Sequence, residues 1–127
     1  MIKTDAEWLE KLGKEGFEVM RRQGTERAFS GTFWNHFEKG KYKCLGCGVL
    51  LFVSNDKFNS SCGWPSFSDF ARPGAVTEYV DKSHGMRRIE VRCSSCNSHL
   101  GHVFTDGPTN TGMRYCINSV CLDFDKD

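Results

Sequence analysis

Seven cysteines and four histidines are the residues of this 127-residue chain best suited to sulfur chemistry or to holding a metal. Four of the cysteines fall in two matched pairs, Cys44-Leu45-Gly46-Cys47 and Cys93-Ser94-Ser95-Cys96. Each pair sets two thiols around a tight turn. Each is followed by a residue that tolerates left-handed backbone, Gly48 or Asn97, so each can offer two thiolates to one tetrahedral ion. A single such pair can instead be a thioredoxin-like redox couple. Two copies favour a structural Zn2+ on Cys44, Cys47, Cys93 and Cys96. The long stretch between them, residues 48–92, is more than a zinc ribbon usually encloses, so the metal would staple two distant hairpins. Zinc with four thiolates is closed to substrate, and other chemistry must lie elsewhere.

Cys62, Cys116 and Cys121 remain. The run from Arg114 to Phe124 reads as one strand, whose period of two puts Arg114, Cys116 and Asn118 on one face and continues it with Val120, Leu122 and Phe124. A thiol, a guanidinium and an amide would then line a pocket. Cysteine attacks as thiolate, and a neighbouring Arg lowers the thiol pKa from its free value of about 8.5. Cys121 alternates to the other face and reads as a small buried apolar residue. His99 and His102 follow the second pair closely. With four cysteines completing the metal site, they are either surface histidines or free acids and bases with an ordinary pKa of about 6.5. In Cys62-Gly63-Trp64-Pro65, a thiol beside glycine has the mobility that suits a resolving role. Trp64 itself reads first as core, and second as an apolar wall for a methyl or sulfur group.

The elements that must position these groups are legible in outline. Thr4-Asp5-Ala6-Glu7 has the form of a capping box, and Trp8, Leu9 and Leu12 follow at helical spacing to an end near Gly13. A second helix is predicted from about Lys14 to Gln23, with Gly24 as its C-terminal cap. From Tyr42 onward short stretches of Val, Ile, Phe and Tyr alternate with Gly, Asn, Asp and Pro, the pattern of short strands and tight loops. No repeat beyond the paired cysteines, linker or low-complexity segment interrupts the chain, so residues 1–127 are expected to form one domain. A formal charge of +1 gives no basic footprint for nucleic acid, and no apolar run reaches membrane-spanning length. The N-terminus lacks the apolar core of a signal peptide, which points to a cytoplasmic protein. In such a compartment an odd number of cysteines argues against a permanent disulfide framework. Asn59-Ser60-Ser61 has the form of a glycosylation sequon and is read as chance.

Seven ordered blocks carry a resemblance that spans nearly the whole chain: Gly24-Thr25-Glu26-Arg27, Tyr42 to Cys47, Cys62 to Phe67, Ser83-His84-Gly85-Met86, His99 to Phe104, Asp106-Gly107-Pro108 and Arg114 to Ser119. Together they resemble the peptide methionine-R-sulfoxide reductase family, the B type. The resemblance implies a mainly β fold of two antiparallel sheets with short N-terminal helices and a zinc site remote from the catalytic pocket. It implies Cys116 as nucleophile on the sulfoxide sulfur, Cys62 as resolving thiol, and Trp64 as the wall receiving the ε-methyl group. His99 and His102 would protonate or orient the sulfoxide oxygen, Arg114 and Asn118 would shape the pocket, and Asp106 would orient a histidine. The implied substrates are oxidised proteins carrying methionine-R-sulfoxide, repaired under oxidative stress, with thioredoxin as reductant; a monomer is expected. Two other classes are open to test. A zinc-binding interaction module would survive loss of Cys116, and a general thiol or peroxide reductase would turn over peroxide in place of sulfoxide.

Overall fold

The computed structural model describes residues 4–60 and 62–126, apart from the side chain of His84. Ser61 of the sequon lies outside the described residues. Helix α1, Asp5–Arg22, opens on the capping box: Thr4 Oγ1 accepts from the Glu7 amide at 3.2 Å, and Glu7 Oε1 accepts from the Thr4 amide at 3.0 Å. Gly13, at φ 78 and ψ 172, breaks the helical path, so the two helices read from the sequence are two segments joined at a kink. The C-terminal cap differs from expectation. Gln23 takes the left-handed conformation at φ 58, and Gly24 serves a close approach instead, donating to the Glu18 carbonyl at 2.9 Å where a side chain would collide. The helix buries Trp8, Leu12, Phe17, Val19 and Met20.

Among the described residues the strands are β1 Gly40–Cys44, β2 Leu50–Val53, β3 Lys57–Phe58, β4 Ser66–Phe67, β5 Val76–Asp81, β6 Arg88–Cys93, β7 His99–Phe104, β8 Arg114–Ile117 and β9 Leu122–Lys126. They form two antiparallel sheets, β2-β1-β9 and β3-β4-β8-β7-β6-β5. Tyr42, Leu51, Phe52, Phe67, Val91, Leu100 and Ile117 fill the core without solvent exposure, Phe52 stacked on Phe67 at 4.4 Å. The helix packs against β7 and against the 3-10 turn Ser119–Cys121.

The single strand expected from Arg114 to Phe124 is two strands in different sheets. Asn118 ends the first: its amide and its Nδ2 both donate to the Leu100 carbonyl at 2.9 Å, and the 3-10 turn Ser119–Cys121 carries the chain across to β9. The alternation of faces therefore stops at Asn118. Cys121 is nonetheless fully buried, its thiol donating to the His99 carbonyl. What matters for chemistry is register: Cys116 on β8 stands opposite His102 on β7 and Ser66 on β4. Among the described residues, no helix is long and apolar enough to cross a membrane.

Candidate functional site

Two sulfur clusters stand apart. The first joins the turns after β1 and β6. Each turn closes in the same way, Gly48 donating to the Cys44 carbonyl and Asn97 to the Cys93 carbonyl, both at 2.8 Å and with φ of 81 and 61. All four Sγ atoms lie within 4.8 Å of one another, with Cys44 to Cys96 at 3.6 Å and Cys47 to Cys93 at 3.5 Å. A tetrahedral zinc with Zn–S bonds of about 2.3 Å spaces its sulfurs about 3.8 Å apart, so the four thiols are placed to bind one such ion. Arg21 ties helix α1 to this corner, donating to the Cys96 carbonyl at 3.0 Å and to Ser98 Oγ at 3.1 Å.

The second cluster lies at one face of the larger sheet, in a cavity of about 250 Å³ that none of the first four cysteines lines. Cys62, Trp64, His102, Arg114, Cys116 and Asn118 all line it. The two thiols, 54 residues apart in sequence, have their Sγ atoms 3.5 Å apart. Such a pair shares one proton. The hydrogen bond from Cys116, reinforced by Ser60 Oγ at 2.9 Å and Ser66 Oγ at 3.5 Å, pulls the Cys62 pKa down to about 4. Donating to Cys62, together with burial, holds the Cys116 thiol far above its ordinary value, against the opposing pull of the Arg114 charge. The pair thus carries one negative charge at neutral pH.

Arg114 is fixed by Asp106, Nε to Oδ1 at 2.9 Å, and its guanidinium lies over the Phe104 ring at 4.4 Å. Asp106 therefore orients this arginine, while the strand carboxylates Asp81 and Glu90 take the imidazoles of His102 and His99. His102 Nε2 meets Asp81 Oδ2 at 2.8 Å, and Arg88 braces the same carboxylate at 3.5 Å. The His102 hydrogen bond holds the Asp81 pKa well below the usual carboxylate range. His99 is placed differently. It is buried, is not among the cavity-lining residues, and its Nδ1 meets Glu90 Oε2 at 2.7 Å. Burial pushes its imidazole pKa below the ordinary value despite Glu90. Its ring meets the His102 ring edge-on at 5.5 Å, so any influence on the cavity passes through His102. Burial would raise Glu90, but hydrogen bonds from Arg92, His99 and Gln23 outweigh it and keep the carboxylate low.

Residues 12–126 match the family described as the SelR domain. The chain belongs to this family. Its relatives include proteins named peptide methionine sulfoxide reductase MsrB from Agrobacterium fabrum, 52% identical over 97% of this chain and 91% of the relative, and from Thiobacillus denitrificans, 55% identical over 96% and 92%. A third, from Variovorax paradoxus and bearing the same name, is 54% identical over 98% and 95%. The family is the one that the ordered sequence blocks resemble.

Within this SelR chain, four site-supporting residues escaped the sequence reading: Asp81, Arg88, Glu90 and Glu26. The first three reach the histidines only through the register of β5, β6 and β7, which spacing does not encode. Glu26 stood in the Gly24-Thr25-Glu26-Arg27 block, a signal without an assigned purpose. The structure gives it three bonds. Its amide donates to Asn118 Oδ1 at 2.9 Å, its carbonyl accepts from Trp64 Nε1 at 3.0 Å, and its Oε1 accepts from the Val120 amide at 2.9 Å. Its Oε2 is buried with no hydrogen-bond partner among the described residues, and burial raises its pKa above the ordinary 4.5 against the opposing pull of Val120 and Ser119. Trp64, read first as core, instead lines the cavity with its indole nitrogen held from behind by this residue.

Proposed function

We propose that this enzyme reduces methionine sulfoxide of the R configuration in proteins, with Cys116 as nucleophile and Cys62 as resolving thiol. The observation that carries the reading is the pair of thiols 3.5 Å apart in a cavity whose adjoining strand presents an imidazole–carboxylate couple; the relatives' name supplies the substrate class. Attack needs the charge on Cys116, so the shared proton crosses to Cys62 Sγ, a shift favoured by Arg114. The Cys116 thiolate then takes the sulfoxide oxygen in net terms. Protonation of that oxygen, with His102 as acid, lets methionine leave and gives a sulfenic acid on Cys116. The Cys62 thiol condenses with the sulfenic acid, forming a disulfide and releasing water, and an external dithiol such as thioredoxin reduces it by exchange.

Trp64 receives the ε-methyl group, Arg114 and Asn118 shape the thiol's surroundings, and His99 positions His102. Cys44, Cys47, Cys93 and Cys96 would hold Zn2+, which closes the two turns and takes no part in the reaction. A free thiol pair of this kind fits a reducing compartment such as the cytoplasm. The test is turnover with thioredoxin, comparing the two epimers of a methionine sulfoxide peptide with hydrogen peroxide. Reduction of the R epimer far ahead of the S epimer and peroxide is expected. Equal turnover of both epimers, or preference for peroxide, refutes the reading.

A further inference from the structure

Phe29 is 55% exposed and holds φ at 65, a left-handed backbone that a bulky side chain adopts only at a cost. Burial in the core does not explain that cost. Its ring stands edge-on to Trp34 at 4.9 Å, and its amide donates to the Gly63 carbonyl at 2.8 Å. Gly63, at φ 92, lies so close to Ala28 and Phe29 that a Cβ there would come within 2.8 Å of Ala28 and 2.9 Å of the Phe29 amide. Gly63 in turn separates Cys62 from Trp64, both of which line the cavity. The strap is tied a second time where Trp64 Nε1 donates to the Glu26 carbonyl. An exposed Phe29 and its half-buried partner Trp34 are thus tied to the residue between two cavity-lining side chains.

We propose that Phe29 and Trp34 form a subsite for an apolar side chain next to the oxidised methionine of an extended peptide; this rests on the function proposed above. Consecutive Cα atoms are about 3.8 Å apart, so a peptide with one side chain in the cavity lays its neighbours on the rim. The exposed aromatic surface there rewards apolar neighbours and offers polar ones nothing.

The experiment titrates the Cys116→Ser protein, and F29A and F29G made in that background, with two peptides containing methionine-R-sulfoxide, one flanked by leucines and one by serines. The leucine peptide should bind about tenfold tighter, as half-burial of one large apolar side chain returns. Both Phe29 variants should reduce that ratio to near one. A ratio near one before substitution, or one unchanged by it, overturns the subsite. Turnover by the wild-type enzyme, measured in parallel, keeps the two claims separate: absence of turnover with flank-dependent binding intact refutes the activity alone. If the ratio is kept in the Cys116→Ser background while F29A and F29G made in the wild-type enzyme raise the KM for thioredoxin, the surface belongs to the reductant and the proposal falls.

Discussion

Glu26→Ala removes a carboxylate that, by accepting from the Val120 amide, anchors the segment whose backbone holds Asn118 and Trp64 at the thiol cavity. The part-buried Val120 amide loses its acceptor, at about 1–2 kcal/mol. One buried methylene is lost at about 0.8 kcal/mol. Relief from burying Oε2 offsets part of this, leaving a net cost of about 1–2 kcal/mol. For a domain of this size that lowers Tm by roughly 3–7 °C. Glu26→Gln keeps the acceptor and the volume and should cost far less. The pH dependence carries a sign. Glu26 is raised on folding, so the native state binds more protons than the unfolded one, and stability falls as pH rises from about the unfolded value of 4.5 through the raised native value. Glu26→Gln lacks that loss, so its stability relative to wild type should improve from pH 4 to pH 8. Trp64 emission and single-turnover methionine formation, read on the same samples, should change in Glu26→Ala and stay close to wild type in Glu26→Gln. Thermal unfolding at the two pH values decides the matter: Glu26→Ala within 1 °C of wild type, or a relative stability of Glu26→Gln that declines with pH, refutes the anchoring role.

Stripping the metal with chelator should cost on the order of 10 kcal/mol of stability, and metal analysis of the purified protein should find one zinc per chain; a Tm unmoved by chelator contradicts the four-thiolate site. Asp81→Asn keeps a hydrogen-bonding group beside His102 but removes the charge, and should slow single-turnover methionine formation by about 10–100-fold with little change in substrate affinity; an unchanged rate removes the couple from the reaction. Cys62→Ser should still form about one methionine per enzyme and then stop, losing recycling by thioredoxin; continued turnover with thioredoxin assigns resolution to another thiol.

How much of this the sequence carried depends on how local each feature is. The two cysteine turns and the Thr4–Glu7 capping box are closed within a few residues, and both were legible from spacing. The face shared by Arg114, Cys116 and Asn118 is likewise local, and all three line one cavity. Where the chain turns on a long-range bond, spacing failed. The strand ends at Asn118 because Leu100, on another strand, captures its amide and side chain. The partners of His99 and His102 are also set by strand register, so Asp81 and Glu90 were invisible, while Asp106, expected beside a histidine, is bonded to Arg114. The split between His102 at the cavity and His99 behind it is a matter of which way two strand residues point around the bulge between Val91 and Arg92. The approach of Cys62 to Cys116 came only from the resemblance to a family, because no spacing argument brings together residues on separate loops and strands.

The central claim is that Cys62 and Cys116 form one redox pair, and peptide mapping tests it most directly. Enzyme treated with a methionine-R-sulfoxide peptide in the absence of reductant should yield a disulfide-linked fragment joining Cys62 to Cys116, as an Sγ separation of 3.5 Å requires little movement to close. The Cys121 thiol, fully buried and donating to the His99 carbonyl, should be recovered free. A link from Cys116 to Cys121, or a Cys116 that stays unlinked after methionine has formed, would contradict the account.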